Sequence, residues 1–121
     1  LSIDYTSAYS TPSLDKLVRT FVYDRQGKGS FTVGDEFTAN APIRFETAIT
    51  TQANWKIIDD THLLLTTGTE QMTVTIEASG KVAFTSETIE VNSPAYTRIG
   101  ISLKEQSKDG YIRLTMRTKQ L

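Results

Sequence analysis

The sequence predicts one all-β domain, arranged as an antiparallel sandwich or as an up-and-down barrel. From residue 16 onward, apolar and polar side chains alternate with a period of two, and β-branched and aromatic residues dominate. Gly, Asp and Asn interrupt this alternation about every ten residues, and short strands at such even spacing are typical of sandwiches and barrels. A chain of 121 residues can bury one core but not two.

The turn residues divide the chain into an amino-terminal arm and a β domain. Residues 1–16 contain Pro12 and many hydroxyl side chains, and they are predicted to form the arm, with Ser13 capping a short helical turn. Residues 17–121 are predicted to form the domain. Its strands are expected near 17–24, 30–38, 42–51, 54–59, 62–67, 71–78, 81–86, 97–104 and 111–118.

Residues 86–96 are predicted to connect two strands. Ser86 could cap a helix, but Asn92-Ser93-Pro94 would end that helix after a few residues. Gly27-Lys28-Gly29 lies between two strands rather than before a helix, so it is interpreted as a hairpin turn and not as a phosphate-binding loop. If the strands form a barrel, we expect its closure to fail at the arm and at residues 86–96, the two stretches without strand character.

The hairpin in the middle of the chain is predicted to have a three-residue loop, Asp59-Asp60-Thr61. This loop gathers a larger inward apolar set than a two-residue loop would: Trp55, Ile57, Leu63 and Leu65. The same register turns Ile58 and Leu64 outward, so these two side chains are predicted to contact a partner chain. Trp55 is interpreted as a core anchor that could also line a cavity, because the interior of a small barrel is both core and cavity.

Two further hairpins follow from matching the apolar faces of neighbouring strands. A six-residue loop from Glu105 to Gly110 would give three apolar pairs, namely Leu103 with Ile112, Ile101 with Leu114 and Ile99 with Met116. A loop at 79–81 would match one apolar set with another: Met72, Val74 and Ile76 with Val82 and Phe84. Both hairpins would place their apolar side chains in the interior.

Charge and composition exclude several classes of function. The formal net charge is −1, and Lys and Arg are scattered along the chain, so no direct contact with nucleic acid is expected. Cysteine is absent, which excludes disulfides, cysteine-ligated zinc and a thiol nucleophile. No apolar run approaches the roughly 18 residues that a membrane-spanning helix needs. Because the chain begins with Leu1 rather than Met, we expect that a signal peptide or a membrane anchor precedes it.

His62, the only histidine, ends the segment Asp59-Asp60-Thr61-His62. A metal site needs about three or four converging ligands, and acidic side chains beside a turn usually cap the backbone, so a turn is predicted and no metal. No serine lies in a nucleophile motif, and nothing selects a catalytic pair among the carboxylates Glu36, Glu46 and Glu77. We therefore expect neither an enzyme nor a cofactor.

Three segments, in this order along the chain, resemble one known family. They are Phe31-Thr32-Val33-Gly34-Asp35-Glu36-Phe37, the hairpin from Trp55 to Leu65, and Ile112-Arg113-Leu114-Thr115-Met116-Arg117-Thr118. The hairpin resembles those of lipocalin-like domains. The three segments together are similar to the ToxS/VtrC-like family, whose members are small periplasmic partners of membrane-bound ToxR-type transcription regulators.

The resemblance implies a fold, a location and a partner. It implies a lipocalin-like antiparallel barrel, either complete in itself or closed by a partner chain, in the periplasm, with an inner-membrane anchor before Leu1. It also implies a heterodimer with the periplasmic domain of a ToxR-type regulator, in which this chain acts as a sensory or stabilising subunit. A free-standing lipocalin-like carrier and a structural envelope subunit are the alternatives.

The resemblance also bears on whether the apolar interior binds a ligand. From the residues alone, the apolar interior either packs as a simple core or encloses one small ligand. In VtrC-like members of the family a bile salt binds in the barrel that two chains form together, so the resemblance favours a bile salt or a fatty-acid-like ligand. The side chains predicted to line its site are Phe45, Ile49, Trp55, Ile57, Leu63, Met72, Phe84 and Ile101.

Overall fold

The computed structural model describes residues 2–4, 13–25, 29–90 and 95–120. In these ranges the chain forms ten β-strands: β1 Ser2–Asp4, β2 Leu14–Asp24, β3 Ser30–Ile43, β4 Glu46–Thr51, β5 Asn54–Asp59, β6 His62–Thr67, β7 Glu70–Ala78, β8 Val82–Ile89, β9 Tyr96–Leu103 and β10 Ser107–Gln120. Their pairings are antiparallel, as the period-two alternation predicts.

The strands form two sheets. The larger sheet has seven strands in the order β1-β2-β3-β10-β7-β6-β5, and the smaller has three in the order β4-β9-β8. Within the described residues, no strand pairing joins an edge of one sheet to an edge of the other, so the two sheets do not close into a barrel. The prediction of an all-β antiparallel fold is confirmed, whereas the described part of the chain does not close a barrel by itself.

Four stretches of the chain pass from one sheet to the other. Residues 52–53, between β4 and β5, cross at one end of the sandwich, and the other three bend along one line. β3 continues into β4 across residues 44–45, β7 into β8 across 79–81, and β9 into β10 across 104–106. The Leu103 amide donates a hydrogen bond to the Phe45 carbonyl at 2.9 Å, which links two of these bends. We call this line of bends the corner. It turns the smaller sheet over one face of the larger sheet, which is the inner face.

The core lies between the two sheets. Its largest fully buried side chains come from both of them: Leu17, Phe37, Leu63, Val74, Ile99, Ile101 and Ile112. At the corner, the ring of Phe45 stacks on the ring of Phe37, with the ring centroids 4.7 Å apart. Since burial of each such side chain stabilises a fold by about 1.5–3 kcal/mol, this core holds the smaller sheet against the larger one.

The predicted register of the middle hairpin is confirmed. Trp55 lies opposite Leu65, and Ile57 lies opposite Leu63. The loop is shorter than predicted: Asp59 pairs with His62, so Asp60 and Thr61 alone form it, and a β-bulge between Ile57 and Asp59 takes up the extra residue. The hairpin is local, and one register gathers far more apolar surface than the other. The sequence pattern is therefore sufficient to predict the register of this hairpin.

The other two predicted hairpins are wrong. β9 pairs with β4 and β8, and β10 pairs with β3 and β7, so Ile112 lies opposite Asp35 and Ala78 rather than opposite Leu103. Residues 79–81 likewise turn the corner, because β7 pairs with β6 and β10 while β8 pairs with β9. Apolar alternation fits any neighbour of the same period, so it does not distinguish a hairpin from a bend between two sheets.

β2 begins earlier than predicted. Leu14 pairs with Ala39, and the Ser13 carbonyl accepts a hydrogen bond from the Asn40 amide at 2.9 Å. The backbone at Ser13 and Leu14 is used in sheet pairing, so the short helical turn expected there is not formed. Residues Ser2–Asp4 also form a strand that pairs with β2, and part of the predicted arm therefore belongs to the sheet.

β8 ends later than predicted. It continues to Ile89, which lies inside the predicted connection at residues 86–96. Residues 91–94 of that connection are outside the described residues, as are Gly27 and Lys28 of the predicted turn between β2 and β3. The strands on either side of that turn pair with each other from Asp24 opposite Ser30 onward.

Candidate functional site

The side chains predicted to line a ligand cavity lie in the core and at its margin. Phe45, Leu63 and Ile101 are at most 3% exposed. Four others are partly buried and pack against the core: Ile49, Trp55, Met72 and Phe84. Ile57 differs, because it is 46% exposed on the edge strand β5. The structure thus gathers all of these side chains except Ile57 around one core, with Trp55 at its margin rather than fully inside.

A cleft of about 160 Å³ opens at the margin of this core, beside the turn between β4 and β5, and we call it the mouth cleft. Its lining is mixed: Thr51, Ala53, Leu65, Thr67, Glu70, Gln71, Met72 and Thr118. Pockets that enclose a drug-sized ligand measure about 300–1,000 Å³. The mouth cleft can therefore accept part of an apolar body against Leu65 and Met72, but enclosing a whole steroid requires a further wall.

A buried ion pair faces the interior from β2 and β3. Arg19 and Asp35 lie opposite each other, with Nε to Oδ1 at 2.6 Å and Nη2 to Oδ2 at 2.9 Å. The side chain of Asp35 is 1% exposed and that of Arg19 is 27% exposed. Two parallel charge-assisted hydrogen bonds fix both side chains. The pair is not among the sequence predictions, although the alternation that places Arg19 between inward Leu17 and Phe21 is a signal for it.

A second cleft, of about 430 Å³, separates the start of β2 from the edge strand β4. It is lined by Leu14, Arg19, Ile43, Arg44, Phe45, Glu46, Thr47, Ala48 and Arg98. Arg98 Nη2 lies 3.2 Å from Glu46 Oε2, which neutralises both charges. Arg44 is exposed and has no ion-pair partner among the described residues, so the cleft carries a modest positive charge.

The opposite face of the larger sheet carries an open groove of about 580 Å³ over Gly34. The groove follows from Gly34 itself, which has no side chain to fill the space between the neighbouring strands. Beside it, the Arg113 guanidinium lies 5.6 Å from the centroid of the Tyr111 ring, and Arg113 Nη1 lies 3.1 Å from Glu77 Oε2. Exposed contacts of these kinds are individually weak, so the groove shows no preorganised chemistry.

Asp59 organises the turn of the middle hairpin. Its Oδ1 accepts the Thr61 backbone N–H at 2.8 Å and the Thr61 hydroxyl at 3.2 Å, and it lies 2.8 Å from His62 Nδ1. These contacts favour the carboxylate form and hold the pKa of Asp59 below its usual value of 3.8, chiefly through the Thr61 N–H and next through His62. The interpretation of this segment as a turn is confirmed.

The two side chains predicted to contact a partner lie on neighbouring strands. Ile58 is 51% exposed at the bulge of β5. Leu64 is half-buried on β6 opposite Lys56, and it faces away from the core because its neighbours Leu63 and Leu65 are buried. Their contact with a partner stays a prediction.

Comparison with known proteins does not assign this chain to a family. Neither a protein-family model nor a curated protein matches the sequence. Among the described residues, no three or more His, Asp or Glu side chains are grouped as a metal site would require. In the same part of the chain, no helix has the length and apolarity needed to cross a membrane.

Proposed function

We propose that this chain is a binding subunit whose open sandwich is completed by a partner protein, as the ToxS/VtrC-like resemblance implies. The proposed partner is the periplasmic domain of a membrane-bound ToxR-type regulator, beside which the chain would act in the periplasm as a stabilising and sensory subunit. The open sheet edges support this proposal, because an unpaired strand edge is a place where another chain can add.

The observation that carries the proposal is an apolar surface left uncovered on the inner face of the larger sheet, toward the β2–β3 turn. We call it the apolar shelf, and it comprises Phe21, Tyr23, Phe31, Val33 and Met116. Tyr23 is 63% exposed and Phe31 is 37% exposed, and the Phe21 and Phe31 rings lie 6.2 Å apart. These side chains share a face with the buried Leu17 and Phe37. Tyr23 and Phe31 are the exposed members, whereas Phe21, Val33 and Met116 are partly buried and continue the face toward the core. Contiguous exposed apolar surface of this kind usually marks an interaction site.

The proposed ligand is a bile salt or a similar amphipathic molecule, bound where the partner adds the missing wall. The mouth cleft, at about 160 Å³, is too small to enclose such a molecule alone. The half-buried Trp55 and Met72 would contact the apolar body of the ligand. The adaptable thioether of Met72 suits a ligand of irregular shape.

Calorimetric titration of the chain with the regulator's periplasmic domain tests the proposal. Tyr23→Ser and Phe31→Ser are each expected to weaken binding at least about tenfold, because both remove apolar area from the shelf. Val22→Ser is the matched control, since Val22 is 52% exposed on the same strand but faces the other side of the sheet. Urea unfolding of each variant verifies that the fold is retained.

Two outcomes would contradict the proposal: no complex with the regulator domain, or unchanged affinity in both shelf variants. A conjugated bile salt is then titrated into the chain with and without the partner. Binding only in the presence of the partner supports a shared site, whereas equal binding to the chain alone would favour the free-standing carrier. Micelle heats alone in both titrations would remove the ligand from the proposal.

A further inference from the structure

The edge strand β5 is open on one side. Among the described strands it pairs with β6 alone, and it forms one edge of the larger sheet. Ile57 is 46% exposed and Ile58 is 51% exposed on this strand of six residues. Natural proteins usually guard such an edge with a charge, a bulge or a short strand, because a bare edge invites pairing with another chain. β5 has all three features, with Lys56 as the charge.

The bulge places the charges of β5 on one face. Lys56 lies opposite Leu64, and Asp59 lies opposite His62. Leu64 and His62 are two residues apart on β6 and therefore share a face. Lys56 and Asp59 consequently share that face too, although they are three residues apart, because the bulge at Ile58 inserts one extra residue between them.

From this pattern we propose that β5 pairs with β5 of a second copy of the chain, antiparallel and about a two-fold axis. The segment Lys56-Ile57-Ile58-Asp59 is self-complementary in that arrangement. Lys56 of each copy lies opposite Asp59 of the other, and Ile57 of each lies opposite Ile58 of the other. Such an interface is isologous, so each charge pair occurs twice.

The Asp59 carboxylate and the Lys56 ammonium group are both available for this pairing. All three contacts of the Asp59 carboxylate within its turn involve Oδ1, and its side chain is 56% exposed, which leaves Oδ2 toward solvent. Lys56 is exposed and has no ion-pair partner among the described residues. A lysine on an edge strand disfavours pairing when it would face another lysine or an apolar strand. Here the second copy places the opposite charge, Asp59, across from it.

The same charges select one register. A shift by one residue in one direction would place Lys56 opposite Ile58 of the second copy. A shift in the other direction would place it opposite Asp60, which lies in the turn beyond the end of β5. The interface is small, because it consists of one strand of six residues and the side chains beside it. Stable interfaces usually bury about 1,200–2,000 Å² in total. The dimer is therefore expected to be reversible, with a dissociation constant in the micromolar range or weaker.

Sedimentation equilibrium over a range of concentrations tests the pairing. The weight-average mass of the unaltered chain is expected to rise toward that of a dimer. Lys56→Asp would bring two carboxylates together across the interface, and Asp59→Lys would bring two ammonium groups together, so each variant alone is expected to remain monomeric. In an equal mixture, a copy of one variant facing a copy of the other regains opposite charges at both pairs, so the mixture is expected to dimerise again. Lys16→Asp is the matched control, because it makes the same charge change on β2, far from β5, and should not alter association.

Ile58→Lys supplies an independent variant if the loss of the Asp59 cap unfolds the hairpin. It is expected to abolish dimerisation while circular dichroism remains unchanged. A monomeric unaltered chain up to about 1 mM, or dimerisation of Lys56→Asp as strong as that of the unaltered chain, would overturn the proposal. Binding of the regulator domain at the apolar shelf does not involve β5, so its affinity should be the same for Lys56→Asp. Either proposal can therefore fail without the other.

Discussion

The contribution of Arg19 and Asp35 to the stability of the interior depends on the pairing of their charges, not on the presence of either charge alone. The Asp35 carboxylate is almost fully removed from water, whereas the Arg19 guanidinium is partly exposed, and two hydrogen bonds join the two groups. Asp35→Asn is expected to lower the free energy of unfolding by about 1–3 kcal/mol, less than for a fully buried pair because Arg19 keeps some solvent contact. Urea unfolding measures this loss.

The double variant Arg19→Met with Asp35→Leu serves as the control. It removes both charges and fills the space with apolar atoms, so it is expected to lose less stability than Asp35→Asn alone. A loss in the double variant as large as that of Asp35→Asn would show that the pair does not act as a unit.

Asp59 predicts a pH dependence with a defined sign. Its pKa lies below 3.8 in the folded chain, so its carboxylate contributes stability above the unfolded pKa, and that contribution is lost as the pH falls through the lower folded pKa. Titration of the Asp59 carboxyl carbon by NMR should therefore show a midpoint below that of an unfolded reference. The stability difference between the unaltered chain and Asp59→Asn should vanish at the acid end. A midpoint at or above the reference would contradict the turn geometry.

At the scale of elements, two strand glycines have opposite roles. A Cβ at Gly110 would lie 2.5 Å from Ser79 Oγ and 3.1 Å from a ring carbon of Phe37, next to the corner. A Cβ at Gly34 would meet only Arg113, with Cγ at 3.8 Å, which is an ordinary contact. Gly110→Ala is therefore expected to cost about 1–3 kcal/mol through overpacking, and Gly34→Ala to be neutral or slightly stabilising.

Thermal unfolding of the two alanine variants side by side measures this contrast. The Ser79 hydroxyl also accepts a hydrogen bond from the Tyr111 amide at 3.0 Å, so its displacement loosens the contact between the β7–β8 bend and β10 as well. Equal melting temperatures for the two variants would show that the corner tolerates a side chain at Gly110.

The elements also show which pairings a sequence can predict. The β5–β6 hairpin was predictable because its loop is short, and one register buries Leu63 and Leu65 while the other does not. The hairpin predicted between β9 and β10 failed because Ile112 alternates in phase with several strands, and its true neighbour Asp35 is distant in sequence. Local pattern gives the face of a residue, but not the partner across from it.

Some features of the candidate surfaces could be predicted from the sequence, and others could not. The inward positions of Leu63 and Ile101 could be predicted from alternation alone, and so could the exposure of Ile58. The apolar shelf could not, because Phe31 continues the inward pattern of Phe37 and only the extent of the smaller sheet decides that Phe31 is uncovered. Coverage by a second layer depends on the whole topology, which a single strand does not encode.

At the scale of the whole molecule, β10 joins the halves of the larger sheet. It lies between β3 and β7, and it continues across the corner from β9. A chain ending at Gln106 is therefore expected not to fold, whereas a chain lacking residues 1–4 loses only the edge strand β1 and is expected to retain a cooperative transition. Circular dichroism with urea titration distinguishes the two. A cooperative transition in the shorter chain without β10 would show that the two halves fold independently.

The corner also leaves the inner face of the larger sheet unevenly covered. Near the corner the facing layers meet closely, since Phe37 and Phe45 are at most 3% exposed. At the strand ends farthest from it, the inner side chains emerge into solvent, as Phe31 does on β3, and the mouth cleft opens there too. The two-residue turn between β4 and β5 joins the sheets beside the mouth cleft, whereas no described residue joins them beside Phe31. An opening of the sandwich is therefore expected to start on the side of β2 and β3, away from this connection.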